Sequence, residues 1–392
     1  MVSIGLLVER QRAYGRRLCE GAAARALEDG DILLTMLEWS EVLAPEGLKK
    51  FNALIVRVLD DGMDRLLRRA GIPIVDVFYG KDRPGFAVAD LDNETIGRLA
   101  ADHLRSHGFN SFAFCGYNGI NFSDSRRDAF ARVVTDMGFP CNVYPTPPHA
   151  TRDFAKSAVL SECYSLRNDE RKAMEQWLVS LPHATAVFCS HDLRARQILE
   201  ICYKVGIAVP SDIAVLGVDD DAILCGFSAP TLSSIDPNGF EVGRAAVEIA
   251  AEMARSPTAG ATMRRQFVKP LRLVERRSTE TYPLDPGWLS DALVFIHRNA
   301  SKGIRSSDVF EQLGLSHTMV GTAFRRVLRT TVQKEIIKTR LDEACRLLLH
   351  TGYSIAEIAR RSGFASAQYF CRCFFATKGI SPSRYRFSEN AM

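Results

Sequence analysis

The 392-residue sequence contains no apolar run approaching the roughly 20 residues that a membrane-spanning helix needs, so no membrane partner is expected. Residues 1–9 enter at once into a strand-like run through Ile4, Leu6, Leu7 and Val8. They lack the basic segment and small-residue cleavage site of a secretory signal, and a cytoplasmic location is the expectation. Nucleotide and acyl-transfer signatures are missing as well. There is no G-x-x-x-x-G-K-S/T loop, no G-x-G-x-x-G turn and no G-x-S-x-G elbow. No catalytic set stands in their place, which points away from an enzyme and from any bound cofactor. Cysteine is not scarce, with ten residues, but it is never in metal-binding spacing. Cys371 and Cys373 point to different sides of a helix. The others lie in apolar stretches such as 112–115 and 187–189, and reduced core thiols are expected. His103 and His107 share an i, i+4 spacing that one metal could use. No Glu follows His103 as a zinc protease requires, so an exposed helix end and no metal are expected.

What is present is the composition of a globular protein, 46% hydrophobic and 24% charged. The length exceeds one ordinary core, and two or three domains are expected. The formal charge of +4 hides an asymmetry. Residues 285–392 hold 16 Lys/Arg against 9 Asp/Glu, a net of +7, which leaves −3 on residues 1–284. Positive potential in the last quarter attracts a polyanion.

Up to residue 280, β-rich runs (3–8, 32–37, 53–58, 74–77, 112–116, 186–189, 213–218) alternate with helical patterns (16–28, 93–107, 125–136, 193–204, 239–253). Such alternation predicts an α/β domain of parallel sheets with helices on both faces, and so many strands suit two lobes. Ligands of these sheets sit outside the carboxyl ends of the strands, here in the cleft between lobes. His191 and Asp192 follow one strand, and Tyr14, offering a flat face or a hydroxyl, follows the first. Residues 279–286 carry two prolines and no periodicity. The predicted organisation is an effector domain at 1–280, a linker at 281–286 and an all-α domain at 287–392.

The all-α part contains one device twice. Each copy has a short amphipathic helix, a turn glycine (Gly314, Gly363), a capping serine (Ser316, Ser366) and a second helix. Ser354 and Glu357 have the S-x-x-E spacing of a capping box. The second helices bury Val320/Phe324 and Phe370/Phe374, leaving the opposite face for DNA. On the helix that begins at Ala367 this face carries Gln368 and Arg372, which match adenine and guanine edges in the major groove. The earlier helix presents His317, Thr318, Gly321 and Thr322, followed by Arg325, Arg326 and Arg329, better suited to phosphates. Two such helix-turn-helix units about fifty residues apart, on the basic part of the chain, predict binding to double-stranded DNA.

Several runs carry a resemblance. Arg340-Leu-Asp-Glu-Ala-Cys-Arg-Leu-Leu-Leu, Ser354-Ile-Ala-Glu-Ile-Ala, Gly363-Phe, Tyr369-Phe, Phe374-Phe and Gly379-Ile-Ser-Pro-Ser-Arg-Tyr-Arg are similar to the AraC-type transcription factors. That resemblance implies a monomer placing both recognition helices in successive major grooves. Phe310 stands where the family packs a small residue, and Gly321 and Thr322 where larger polar readers are usual. Most base readout is therefore expected from the second unit. The first 280 residues resemble the effector domain of LacI-type repressors, which has the fold of periplasmic sugar-binding proteins. Asp92-Asn93-Glu-Thr-Ile-Gly97, His103-Leu-Arg-Ser-His-Gly108-Phe, Arg126-Arg-Asp-Ala-Phe130, His191-Asp192, Leu216-Gly-Val-Asp219-Asp220 and Arg276-Arg-Ser-Thr279 carry it. It implies that Asp219 and Arg126 hold sugar hydroxyls. A surface ion pair for Arg126 and a helix N-cap for Asp219 are the plainer alternatives.

An effector domain placed ahead of an AraC-type domain resembles bacterial regulators of sugar operons. The resemblance implies a sugar-responsive regulator of catabolic genes, with D-xylose the first effector to consider and activation the first mode. It also implies a homodimer, and RNA polymerase as partner of an activator. A repressor, or a response to another pentose or hexose, stays open. A sugar-transport binding protein is the remote alternative, against which the basic helical domain speaks.

Overall fold

In the computed structural model, which describes residues 1–42, 45–80, 83–152, 154, 166–256, 264–280 and 288–388, the β-rich runs become two six-stranded sheets. The chain divides into the units Met1–Glu280 and Thr281–Met392. The first unit opens with β1 (Val2–Leu7), α1 (Ala13–Asp29), β2 (Ile32–Met36), the short α2 (Trp39–Val42), β3 (Ala53–Val56), α3 (Asp61–Ala70), β4 (Ile74–Asp76) and β5 (Phe86–Leu91). A second lobe follows with α4 (Asn93–Ser106), β6 (Ser111–Cys115), α5 (Asn121–Asp136), β7 (Cys141–Val143), α6 (Asn168–Ser180) and β8 (Thr185–Cys189). It continues through α7 (Asp192–Val205), β9 (Ile213–Val218), α8 (Ala222–Phe227) and β10 (Ser233–Asp236). The chain then returns to the first lobe for α9 (Gly239–Arg255) and β11 (Arg265–Val268), and β12 (Arg272–Val274) lies in the second.

Strand order is β11-β5-β4-β3-β1-β2 in one sheet and β12-β10-β9-β8-β6-β7 in the other. The pairs are parallel except β12 against β10. Central strands such as β3 and β9 are buried along their whole length, because helices cover both faces, and so they read as unbroken apolar runs. Strand order reverses around β1 and around β6. A crevice therefore opens at the carboxyl ends of both sheets. Small residues let α1 and α9 meet at backbone distance. A Cβ on Gly21 would lie 1.8 Å from the Phe240 carbonyl oxygen, and one on Gly243 would lie 2.0 Å from that of Leu18.

The strands and helices expected in this unit all form, within a few residues of their anticipated ends. β5, β7, β10, β11, β12, α2, α3, α6 and α8 were not anticipated. α3 is short and buries only Met63, Leu67 and Ala70, and β5 carries a charged residue, Asp90, inside a buried strand. The expected linker at 281–286 lies outside the described residues. The nine described cysteines are free thiols.

The second unit is helical throughout its described residues: α10 (Trp288–Asn299), α11 (Ser306–Leu313), α12 (His317–Val327), α13 (Val332–His350), α14 (Ile355–Arg361), α15 (Ala367–Lys378) and α16 (Pro382–Ser388). Two separate apolar clusters form. One gathers Leu289, Leu293, Val309, Val320 and Phe324, the other Leu347, Ile358, Phe370 and Phe374. α13 runs between them and supplies both, Val332 and Ile336 to the first, Leu341 and Leu348 to the second. Arg340, buried on α13, donates to the carbonyls of Ala300 (2.9 Å) and Ile304 (2.6 Å) and ties the helix to the first cluster.

Candidate ligand cleft and nucleic-acid interface

The crevice between the two sheets is a cavity of about 450 Å³ counting its open mouth. Each of its walls comes from the carboxyl end of a strand or the helix that follows. The first lobe contributes Glu9, Arg12, Tyr14, Arg57, Phe78 and Asp90, and the second Asn93, Phe122, Arg126, His191 and Asp219. Tyr14, Arg126, His191 and Asp219 are thus brought together, Tyr14 and His191 from strand ends and Arg126 and Asp219 from the positions that the resemblance implied.

Arg126 is buried, which removes the surface ion pair as its role. Its Nε donates to Asn93 Oδ1 at 2.9 Å and its Nη1 to the Ser190 carbonyl at 2.5 Å, while its Nη2 has no protein acceptor among the described residues. Burial lowers its pKa, opposed by the charges of Asp219 and Asp90. Asp219 is not a helix cap either. Asp221 is the residue whose carboxylate accepts from Ile223 N and Leu224 N at the start of α8. Asp219 and Asp220 instead turn the chain after β9 at φ of 115° and 45°, a strained pair held by its surroundings. Asp220 accepts from Arg276 (2.6 Å), and its backbone N–H donates to Ser234 Oγ (3.0 Å). Burial pushes the Asp219 carboxyl up to about 7, against the pull of Arg126 and Arg12.

His191 caps α7. Its Nδ1 accepts from Arg194 N at 3.0 Å, so the ring proton of the neutral form is on Nε2, which is buried without a protein partner. Burial, then Arg12 and Arg194, hold the imidazole well below its ordinary pKa. Tyr14 reaches the Val77 carbonyl (3.3 Å) and Asp90 (3.4 Å) with its hydroxyl. Asp192 does not line the cavity. Its carboxylate is fully buried and engaged, accepting from Ser234 Oγ (2.6 Å), Asp221 N (2.8 Å) and Cys225 Sγ (3.4 Å). It braces the turn that carries Asp219 instead of facing the cleft.

The spacing rules did not single out Glu9, Arg12, Arg57, Asp90, Asn93 or Phe122. Arg57 bonds Glu9 at 2.7 Å, and its guanidinium lies 4.2 Å from the Phe78 ring centre. Asp90 accepts from Tyr79 N at 2.9 Å, and burial pushes it up to about 6. The usable signal was position, since Glu9, Arg57 and Asp90 each stand at the carboxyl end of a strand. The cavity holds three arginines and three carboxylates around a neutral histidine. Such a balanced lining suits an uncharged ligand rich in both donors and acceptors.

In the second unit both turn glycines have positive φ, 61° at Gly314 and 82° at Gly363. Ser316 accepts from Met319 N (3.3 Å), Ser366 from Tyr369 N (3.2 Å) and Ser354 from Glu357 N (3.2 Å). The reciprocal half of the capping box does not form. Glu357 is drawn to Arg360 and Arg361, one turn on, at 2.6 Å each, because a guanidinium is a stronger donor than the backbone N–H of Ser354. On α15 Gln368 and Arg372 are exposed on one face, Arg372 lies 5.7 Å from the Tyr369 ring centre, and Ala367 is half-buried. His317, Thr318, Thr322, Arg325 and Arg326 are exposed on and after the start of α12. Phe310 is accommodated against His317, the two rings tilted with centres 4.0 Å apart. The expectation of an exposed helix end at His103 and His107 is overturned. Glu275 and Thr279 pack over it, and His107 is buried.

Two parallel-sheet lobes around a cleft, followed by paired helix-turn-helix units, define a ligand-binding transcription regulator. A family described as a periplasmic binding protein-like domain matches residues 101–279, and one described as a helix-turn-helix domain matches residues 309–388. The chain is homologous along its length to the Xylose operon regulatory proteins, and like them it is a transcription regulator rather than an enzyme. The Escherichia coli (strain K12) protein is 27% identical over 98% of this chain and 96% of its own. That of Haemophilus influenzae (strain ATCC 51907 / DSM 11121 / KW20 / Rd) is 24% identical over 98% and 97%. The solved structure of the xylose-binding transcription activator xylR superposes with a TM-score of 0.77 at 26% identity, covering 98% of this chain and 97% of that one. A LacI family regulator from Enterococcus faecium with bound ribose shares the fold of the first unit, with a TM-score of 0.55 at 17% identity over 72% of this chain and 100% of its own.

Proposed function

We propose that the chain binds D-xylose in its cleft and, so loaded, activates sugar catabolic genes. The observation that carries this reading is the cleft itself. Charge is balanced, and one arginine nitrogen, one carboxylate and one orphaned histidine N–H meet there from elements far apart in sequence. A carboxylate accepts a hydrogen bond from a sugar hydroxyl, and Arg126 and His191 donate to sugar oxygens. Full-length homology to proteins named for xylose selects the pentose. The second unit reads double-stranded DNA chiefly through Gln368 and Arg372, with Thr318 and Thr322 at the corresponding positions of α12 and Arg325 and Arg326 on phosphates. Residues 281–286 link the two domains. The protein works in the cytoplasm as a homodimer, and as an activator it engages RNA polymerase.

Calorimetric titration of the full-length protein with D-xylose, L-arabinose, D-ribose and D-glucose tests the assignment. D-Xylose is expected to bind most tightly, and the Arg126→Ala variant to lose that binding while keeping its fold. Preference for another sugar would replace the effector but keep the class. Undiminished binding by Arg126→Ala would remove the site.

A further inference from the structure

The helix end at His103 and His107 gains a third group from a distant part of the chain. Glu275 directly follows β12, and its Oε1 lies 2.9 Å from His107 Nε2. Ligand atoms of His103, His107 and Glu275 all lie within 4.8 Å of one another, and the two imidazole centres are 4.2 Å apart.

The surrounding hydrogen bonds fix the protons. His107 Nδ1 is 2.9 Å from the His103 carbonyl, which only accepts, so Nδ1 carries a proton. The lone pair of neutral His107 is then at Nε2 and faces a carboxylate. Two acceptors cannot bond each other, and a cation must lie between them, either a second proton or a metal ion. His103 is set by a relay. Ser233 Oγ donates to the Arg276 carbonyl (2.8 Å), so Thr279 Oγ1 donates to Ser233 (2.7 Å) and accepts from His103 Nε2–H at 3.2 Å. The lone pair of His103 is thus left on its other nitrogen. Imidazoles whose second N–H is anchored on a backbone carbonyl or a hydroxyl are the arrangement that orients metal ligands.

We propose that His103, His107 and Glu275 form a site for a divalent metal ion of the zinc class, contributing three of its protein ligands. Two imidazoles and a carboxylate are a donor set zinc accepts. Tetrahedral bonds of about 2.0–2.1 Å need ligand atoms roughly 3.3–3.5 Å apart, which side-chain rotation reaches from the present spacing. The site is remote from the cleft. β12 runs antiparallel to β10 with Val274 opposite Ser234, so Glu275 emerges at the amino ends of the parallel strands. Glu275 and Thr279 belong to the last segment of the first unit, and a bound ion clamps that segment onto α4.

The test uses the full-length protein after dialysis against a chelator, titrated with Zn²⁺ by calorimetry and with Co²⁺ by absorption. One ion per chain is expected, with no thiolate-to-cobalt charge-transfer band. Glu275→Gln and His103→Gln are each expected to weaken binding roughly tenfold or more. Glu275 is exposed, so its variant keeps the test sound should His103→Gln fail to fold. The absence of zinc binding overturns the proposal and leaves a plain His107–Glu275 ion pair. Unchanged affinity in the variants, or a thiolate band, overturns it by placing the ion elsewhere.

Discussion

Asp192 and Asp219 show how two similar carboxylates divide their work. Both follow a strand, and both were expected in the cleft, Asp192 from its strand-end position and Asp219 from the resemblance. Asp192 is saturated by three donors, whereas no protein donor engages Asp219 among the described residues. Strand ends are legible from hydrophobic runs, but whether a carboxylate there is already engaged depends on partners such as Ser234, 42 residues away. Arg57 stands at a legible strand end, but its pairing with Glu9 and its place beside Phe78 join segments that only the folded first lobe brings together. Asp219 also carries a pH prediction. With its carboxyl pushed up to about 7, the acceptor form is lost as pH falls through that value. Sugar affinity should drop between pH 8 and pH 6, and calorimetry on Asp219→Asn should show weaker binding with the slope flattened. A folded-state pKa above the unfolded value also means that ionisation costs stability, a cost fully present above about pH 7 and absent below about pH 4. Asp219→Asn should therefore melt higher than the parent at pH 8 and not at pH 4. A slope that survives in the variant would assign it to another group.

Elements were legible where punctuation is strong. Glycine at positive φ and serine at a helix cap marked α11, α12, α14 and α15, because each motif satisfies backbone groups locally. β5 escaped because an aspartate interrupts its apolar run, whereas α3 keeps helical spacing at Met63, Leu66, Leu67 and Ala70 behind the Asp60 cap and was legible but overlooked. The α1–α9 contact was invisible for another reason. Glycine inside a helix reads as a weakness until the partner backbone is seen. Gly243→Ala should cost about 1–3 kcal/mol in thermal or chemical unfolding, because its Cβ would meet a carbonyl oxygen and not a mobile side chain. Gly321→Ala, with open space around it, should be neutral or slightly stabilising. Between the second helices of the two units, Gln368 and Arg372 stand where α12 has Thr318 and Thr322, whose side chains are shorter. Arg372→Ala should relax base preference in its half of the site, at about 1–3 kcal/mol in competition binding. An equal loss on every sequence would make Arg372 a phosphate contact.

At the scale of the molecule, the two units differ in the physics of what they bind. Residues 285–392 carry +7 and residues 1–284 carry −3. The cleft balances three arginines against three carboxylates. DNA binding releases condensed counterions, so its affinity should fall steeply and linearly on a log–log plot against salt. Arg325→Ala, removing the phosphate contact proposed for it, should lower that slope by about 1. A neutral sugar displaces no counterions, and its affinity should be nearly flat over the same range. A steep salt dependence of ligand binding would mean an anionic effector and would sink the sugar assignment, whatever the DNA data show. The two equilibria also constrain each other. If sugar strengthens operator binding by some factor, operator must strengthen sugar binding by the same factor. Measuring sugar affinity with and without operator on one preparation of the full chain, at one salt concentration, therefore tests the coupling without a transcription assay. Equal affinities would show that the sugar does not regulate DNA binding itself, and control would then lie in a later step such as contact with RNA polymerase.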